Sequence, residues 1–401
     1  MFYAVSKEYR SLRNILTEAH IEHSLQVSKQ GLDNRFSQAS VDFSRLLLEE
    51  ALKNQFRDVE PIVFPHIFKR VLIKDSTRFD IDKSLKKYYP SFGGKTSSAG
   101  VSIQLEYDLK SGRINDLDIQ SALDRDSADA KNKLELIQPG DLIIRDLGYF
   151  HSDVLEYINT YKAYFLTRLH ATTKVYLSKD CLDAINFSEI YQQMNTAQLS
   201  HLDLEVFVGS KRRLPMRLVI ALLPDEIHKK RIRVRNNQNK NSGYTTSQDY
   251  KDKARFNLFL CNLPIKEIDT ISVCRLYRVR WQVELIFKTW KSLIRIADIR
   301  KIKCTRLQTT LHMKLLWVVI HWEIIQPFRT HLYEKDRKIL SVYKCVDTLQ
   351  QHTKAIRLSI YLNKVGFMEK LKGFYQLFSN NHWLERRKNT EYYGDLIVLY
   401  I

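Results

Sequence analysis

The spacing of hydrophobic positions divides the first part of the chain into short polar helices. Helices are expected at residues 9–19 and 37–52, because their apolar positions recur with the helical period. Between them, Ser28 can cap a short basic helix. This arrangement is compatible with a helix-turn-helix and equally with a small helical cap that contacts no DNA.

From residue 66 onward, apolar runs of strand length alternate with helical patterns. Val101, Ile103, Leu105 and Tyr107 recur at every second position, which is the period of a strand. The order of strand, hairpin, helix, strand, helix and strand predicts an α/β fold in which helices cover a mixed sheet. The predicted strands are 68–73, 101–109, 113–119, 142–146 and 163–169, and the predicted helices are 126–137 and 154–161.

A second strand-rich stretch follows, and a basic segment interrupts it. Its strands are expected at 174–177, 204–209, 216–223 and 256–260. The segment 227–256 is rich in Lys and Arg, and its middle, 236–247, is rich in Asn, Ser and Thr. This middle predicts a mobile surface loop, with a solvated turn as the alternative.

The strongest helical pattern covers residues 271–296, and a second, apolar on most sides, covers 305–328. At about 100° per residue, five residues of the first helix fall within roughly 80° of arc. A solvated helix face, with Glu284 bonded to Lys288 one turn later, would explain that pair. It would not explain why Tyr277 and Arg280 lie on the same face. The five residues are Tyr277, Arg280, Glu284, Lys288 and Lys291.

Composition narrows the class of protein. The 401 residues, 44% of them hydrophobic, allow two or three domains and a large core. The formal net charge of +19 favours a polyanionic partner, above all nucleic acid. Five scattered cysteines without a Cys-x-x-Cys pair favour a reducing, cytoplasmic setting. The sequence contains no uncharged apolar run of about 18 residues, so a membrane-spanning helix is not expected. Residues 1–10 lack the apolar core of a signal peptide.

Two aspartates follow apolar runs of strand length. Asp75 comes after 68–73, and Asp146 comes after Leu142-Ile143-Ile144-Arg145. Carboxylates at strand ends of a mixed sheet can converge on one edge and bind a hard cation such as Mg²⁺. A lone aspartate at a strand end is usually a turn or cap residue, so both interpretations stay open. Gly94-Lys95-Thr96 is rejected as a phosphate-binding loop because Tyr89 stands where its first glycine is required.

The spacing Tyr277-x2-Arg280-x3-Glu284-x6-Lys291 resembles the YREK signature of bacterial insertion-sequence transposases of the insertion-sequence-four type. These are DDE enzymes with an RNase H-like catalytic core. Asp75 in Lys74-Asp75-Ser76-Thr77 resembles the family's first catalytic aspartate, and Asp146 in Arg145-Asp146-Leu147-Gly148-Tyr149 resembles the second. The long stretch between Asp146 and Glu284 is similar to that of the transposase subgroup whose catalytic core carries a β-rich insertion before the final acid.

This resemblance implies an organisation of the chain. We expect an RNase H-like mixed sheet flanked by helices, interrupted by a β-rich insertion, with helical N- and C-terminal parts. The expected parts are a helical DNA-binding part at 1–60, the first half of the core at 61–170, the insertion at 171–264, the second half with the catalytic Glu helix at 265–330, and a helical C-terminal part at 331–401.

The resemblance also implies the roles of individual residues. Asp75, Asp146 and Glu284 would be catalytic and would hold two Mg²⁺ or Mn²⁺ ions per active site. In relatives that form hairpin ends, an aromatic residue near Phe256 stacks on a flipped base, although a plain core phenylalanine is the favoured alternative. The residues expected to contact DNA phosphates are Tyr277, Arg280, Lys288 and Lys291.

The expected function is therefore cut-and-paste transposition. The enzyme would cleave double-stranded DNA at the terminal inverted repeats and join the freed 3′-hydroxyl to target DNA, working as a homodimer in a synaptic complex. We expect it in the bacterial cytoplasm, at the nucleoid. The alternatives are a structure-specific nuclease without strand transfer, a non-catalytic DNA-binding derivative, and an inactive remnant with a truncated start.

Overall fold

The protein is described from a computed structural model. The described residues are 11–55, 64–93, 97–149, 151–170, 172–209, 212–299, 301–336, 339–362 and 364–384. The chain forms two compact units, each assembled from separate stretches of sequence. The first unit contains Met1–Phe64, Ser76–Asp124 and Gln282–Ile401, and the second contains Pro65–Asp75 and Arg125–Trp281.

The strands lie between residues 70 and 261, and helices precede, separate and follow them. The strands are β1 Arg70–Asp80, β2 Gly100–Asp108, β3 Ile114–Ser121, β4 Asp141–Arg145, β5 Tyr164–Arg168, β6 Val175–Tyr176, β7 His201–Val208, β8 Leu214–Leu222 and β9 Phe256–Cys261. The helices are α1 Leu12–His23, α2 Lys29–Asn34, α3 Gln38–Lys53, α4 Asp126–Asn132, α5 Ser152–Thr160, α6 Phe187–Thr196, α7 Asp225–Ser242, α8 Gln248–Lys253, α9 Thr270–Arg278, α10 Trp281–Thr289, α11 Cys304–Asp336, α12 Val342–Gln351, α13 Thr353–Leu362 and α14 Lys364–Asn381. A π-helical turn, Trp290–Ile294, continues α10.

The second unit is built on a mixed sheet with the strand order β1-β4-β5-β9-β8-β7-β6. The pairs β1–β4 and β4–β5 are parallel, whereas β5–β9, β9–β8, β8–β7 and β7–β6 are antiparallel. Apolar side chains of the sheet, such as Ile143 and Leu260, form one core with Ile158 of α5 and Met194 of α6. Continuous burial on both faces explains why the middle of β4, Leu142-Ile143-Ile144, is apolar without alternation.

A buried ion pair fixes α4 to β1 in this unit. Lys74 is fully buried, and its Nζ atom lies 2.6 Å from Oδ2 of Asp129. Lys133 approaches the other oxygen of the same carboxylate at 3.4 Å. Because water cannot solvate either charge there, the two groups depend on each other.

The first unit combines a short sheet with long helices. Its strand order is β3-β2-β1, and β2 and β3 form an antiparallel hairpin. The turn of this hairpin needs Gly112, which has a φ of +73°; an added Cβ there would lie 2.7 Å from Nε2 of Gln326. Trp322 of α11 donates to the carbonyl of the same glycine at 2.7 Å, and Ser44 of α3 contacts His312 of α11 at 2.9 Å.

The fold class predicted from the sequence is confirmed: helices flank a large mixed sheet, consistent with an RNase H-like core. The predicted β2–β3 hairpin and the predicted helix at 305–328 are present, and Ser28 caps α2 by accepting from the amide of Gly31 at 2.9 Å. Within the described chain, no helix has both the length and the apolar composition needed to cross a bilayer. Residues 1–10 and Gly94-Lys95-Thr96 lie outside the described residues.

Three predictions about elements are wrong. Residues 236–247, expected to be a loop, mostly belong to helix α7, which has acidic residues in its first turn and ends before Gly243 in the left-handed conformation. The single helix expected at 271–296 is divided, because Val279 and Arg280 make tight i→i−3 backbone bonds before α10 begins. Strand β1 continues through Asp80, so Asp75 lies within this strand. Helix α6 was not predicted.

Replacing Asp129 by Asn should destabilise the protein by about 3–5 kcal/mol, because it leaves the buried Lys74 charge without its counter-charge. The free energy of unfolding in urea measures this loss. Asp249→Asn is the matched control: Asp249 pairs with Lys253 at 3.0 Å on the surface, so this change should cost less than about 1 kcal/mol. Equal costs for the two variants would contradict the assigned role of the buried pair.

His321 should make stability depend on pH. Its ring is fully buried against Trp317, neither ring nitrogen has a hydrogen-bond partner among the described residues, and burial lowers its pKa to about 3. The unfolded chain protonates this residue near pH 6.5, so unfolding takes up a proton at lower pH and stability falls as the pH drops from about 6.5 towards about 3.

Each pH unit below 6.5 should therefore lower the free energy of unfolding by about 1.4 kcal/mol through this residue. We expect His321→Leu to remove that contribution, so that wild type loses about 2 kcal/mol more than the variant between pH 7 and pH 5. Denaturant unfolding at both pH values measures the difference. The exposed His20→Leu variant should retain the wild-type pH dependence.

Candidate active site

Asp75 and Asp146 lie side by side on neighbouring parallel strands. The register of β1 and β4 ends with Lys74 opposite Arg145; Asp75 is the next residue of β1, and Asp146 is the residue that directly follows β4. Adjacent strands are about 4.8 Å apart, so the two carboxylates share one small region of the sheet. The structure brings the two aspartates to corresponding positions of adjacent strands, although Asp75 lies inside its strand and only Asp146 directly follows one.

Arg280 and Tyr277 each contact one of these carboxylates. Nη1 of Arg280 donates to Oδ2 of Asp75 at 2.9 Å, and both side chains are mostly buried. The hydroxyl of Tyr277 donates to Oδ1 of Asp146 at 3.2 Å. Burial, and then the negative charge of Asp146, raise the pKa of Tyr277 well above its usual value. The tyrosine is therefore a neutral hydrogen-bond donor at physiological pH.

Helix α9 holds Tyr277 in position. Asp269 caps the helix by accepting from the amide of Ser272 at 2.6 Å, which fixes the start of the helix. The tyrosine ring packs against Phe259 of β9 with 5.1 Å between centroids, and the guanidinium of Arg168 lies 5.6 Å from the ring centroid. The local fold thus aims the hydroxyl at the second aspartate.

The remaining predicted residues belong to the first unit. Glu284 lies partly exposed in the first turn of α10, and Lys288 is exposed one turn later. Lys291 lies in the π-helical turn, where its Nζ donates to the carbonyl of Arg78 at 3.2 Å and partial burial lowers its pKa. Their placement beside the two aspartates stays a prediction.

The aspartate pair suits a divalent metal by its donor atoms. Carboxylate oxygens are the ligands that Mg²⁺ prefers, and two carboxylates this close repel each other unless positive charge lies nearby. In the described part of the chain, no group of three or more His, Cys, Asp or Glu side chains is arranged to hold a metal ion. Two of the three expected ligands are therefore brought together, and the third stays a prediction.

Phe256 lies in the core of the second unit. Its side chain is 2% exposed and packs between Phe187 and Tyr191, with ring centroids 6.2 and 6.5 Å away. Stacking on a DNA base would require this ring to become accessible, so the placement agrees with the alternative of a core phenylalanine. The base-stacking role stays a prediction.

Two further residues were not singled out from the sequence as parts of the site. Trp281, directly after Arg280, is 52% exposed, and an exposed indole can stack on a nucleic-acid base. Arg168 ends β5 and lies over the ring of Tyr277. The sequence could have indicated Trp281 as a site residue, because a large aromatic side chain stands inside a charged motif. It gave no indication of Arg168, whose position beside Tyr277 depends on the strand order.

Comparison with known proteins shows the family to which the chain belongs. Residues 66–320 match the family described as "Transposase DDE domain". The transposase for insertion sequence element IS231E of Bacillus thuringiensis subsp. finitimus is 29% identical over 386 residues, covering 92% of this chain and 81% of that protein. The IS231F transposase of B. thuringiensis subsp. israelensis is 30% identical, covering 85% of this chain and 75% of that protein. The IS1151 transposase of Clostridium perfringens is 28% identical, covering 87% and 77%. The chain thus belongs to the DDE transposase family of bacterial insertion sequences.

Proposed function

We propose that this protein cleaves DNA at the ends of its insertion sequence and joins the freed 3′-hydroxyl to target DNA by phosphoryl transfer. The observation that carries the proposal is the adjacent pair Asp75 and Asp146, each contacted by one member of the Tyr277–Arg280 signature. Family membership supports DNA-end cleavage as the reaction class. The double-stranded DNA of the terminal repeats and of the target are the substrates.

Asp75, Asp146 and Glu284 would hold two Mg²⁺ or Mn²⁺ ions. When bound, these ions supply Lewis-acid activation of the attacking oxygen and stabilisation of the leaving oxygen. The protein contributes the orientation of the carboxylates. Tyr277 fixes one oxygen of Asp146 through its hydroxyl, and Arg280 offsets part of the negative charge at Asp75.

The cationic members of the signature would bind the phosphates of the cleaved end. Arg280 presents a planar set of donors that suits a phosphate as well as a carboxylate, so it can pass from Asp75 to DNA. Lys288 is exposed and available to DNA, and Lys291, held on the carbonyl of Arg78, would contact the strand beside the metals. We further propose a homodimer in the synaptic complex, a cytoplasmic location, and the five-part division of the chain.

The three carboxylates should be indispensable for chemistry but not for DNA binding. We expect Asp75→Asn, Asp146→Asn and Glu284→Gln each to lower cleavage by about a thousandfold in Mg²⁺, since each removes metal-based stabilisation worth several kcal/mol. The substrate is a fragment that carries the inverted repeats flanking the gene, and gel analysis of cut and joined strands gives the rate.

Asp153→Asn controls for the loss of a charge, because this aspartate lies on α5 outside the site.

Cleavage that survives in the Asp146→Asn variant would contradict the proposal. A wild type that cuts the fragment in Mg²⁺ but never joins it to target DNA would instead favour a nuclease without strand transfer. Binding without any cleavage would favour a non-catalytic derivative.

Tyr277→Phe tests the orienting role separately. The ring packing is kept and only the hydrogen bond to Asp146 is lost, so the cleavage rate should fall by about tenfold or more, the equivalent of one hydrogen bond to a charged group. Tyr88→Phe, at an exposed position, should leave the rate unchanged. A Tyr277→Phe enzyme with the wild-type rate would show that the hydroxyl does not contribute.

A further inference from the structure

A basic groove lies in the second unit, beside the candidate active site. It has a volume of about 600 Å³, within the range of ligand-binding clefts, and it is bordered by α7, α8, β5 and β9. We call it the α7 groove. Its lining includes Leu147, Arg168, Lys230, Arg231, Arg235 and Lys253.

Helix α7 turns one face towards this groove. The residues of α7 that line it recur at spacings of three and one, as expected for a single helical stripe. Lys229 and Arg233 belong to the same helix, but they are exposed and do not line the groove. The helix therefore carries two sets of cations, one inside the groove and one outside it. The stripe that lines the groove consists of Ile227, Lys230, Arg231, Val234, Arg235 and Gln238.

Two arginines, Arg168 and Arg231, line the groove, and among the described residues neither forms an ion pair with a carboxylate. Arg231 donates to the carbonyl of Phe256 at 2.9 Å and to Oδ1 of Asn257 at 2.7 Å, which fixes its guanidinium. Burial, and then the positive charge of Arg168, lower the pKa of Arg231. Within the described residues, the contacts of these two guanidinium groups are with carbonyl and amide oxygens for Arg231 and with the Tyr277 ring for Arg168. An ordered pair of like charges without an acid favours an anion as its ligand.

The groove is continuous with the residues around Asp146. Leu147, which borders the groove, is the next residue after Asp146. Arg168 lines the groove and also lies over the ring of Tyr277, whose hydroxyl donates to Asp146. A strand bound at the second aspartate therefore has a positively charged path directly beside it.

We infer that the α7 groove binds the phosphate backbone of a DNA strand that extends away from Asp146. The inference rests on the function proposed above, and it adds a contact surface outside the Tyr277–Arg280 signature. Lys230 and Arg235 are exposed and would contact phosphates, while Arg168 and Arg231 would form the fixed floor of the groove. Phosphate contacts carry no sequence information and weaken with salt.

The test compares two double variants of one helix. The groove variant is Lys230→Gln with Arg235→Gln, and the matched control is Lys229→Gln with Arg233→Gln, which removes the same charge from outside the groove. Affinity for duplex DNA is measured in Ca²⁺ or without metal at several salt concentrations. One duplex carries the inverted repeats that flank the gene, and another has an unrelated sequence of equal length.

We expect the groove variant to lose roughly thirtyfold in affinity near 0.15 M salt, and the slope of log affinity against log salt to fall by about 2. The loss should be the same on both duplexes, and the control should retain the wild-type slope. Equal losses in the two double variants would overturn the inference, and so would a loss confined to the terminal repeats.

This experiment is independent of the proposed chemistry. Failure of the wild type to cleave its ends would count against the proposed function but would leave the binding comparison intact. Thermal unfolding of both double variants should match wild type, because all four substituted side chains are exposed. A groove variant that loses affinity only because it is unfolded would be recognised by that measurement.

Discussion

The parallel pairing of β1 with β4 is the constraint on which the site depends. Parallel strands in fixed register bring residues that are distant in sequence to the same level of the sheet, and here Asp75 and Asp146 occupy that level. A shift of one residue in this register would turn one carboxylate to the opposite face. The buried pair of Lys74 and Asp129 stands one position before the first aspartate and ties the strand to α4. Lys74, whose buried charge stabilises the fold, and Asp75, a candidate catalytic residue, are thus neighbours in β1.

Two neighbouring carboxylates are electrostatically unfavourable, and the protein surrounds them with donors of different kinds. Arg280 brings a full positive charge to Asp75, whereas Tyr277 brings a neutral hydroxyl to Asp146. A guanidinium compensates charge, while a buried hydroxyl mainly fixes orientation. Arg168 extends the positive region towards the α7 groove without pairing with either aspartate.

Much of this arrangement could be predicted from the sequence. Alternating and continuous apolar runs gave most strands, and the spacing of Tyr277 and Arg280 identified the residues that contact the aspartates. Helix α7 was missed because it has no apolar face, so its only signals were its acidic start and Gly243 at its end. The interruption at Val279 was missed because it depends on backbone bonding and not on side-chain pattern. A core position was favoured for Phe256, but the residues that bury it lie on α6, a helix that periodicity did not reveal.

The interleaving of the two units bears on how the protein forms during synthesis. The second unit is complete in sequence once Trp281 has been made, whereas the first unit still needs Gln282–Ile401. Domains generally fold as units while the chain emerges from the ribosome. The aspartate pair and its two donors all lie in the second unit, so their contacts do not require the part of the chain after Trp281. A polypeptide that stops near residue 281 would contain every residue of these contacts but lack Glu284, so the aspartate pair and the proposed third acid belong to different folding units.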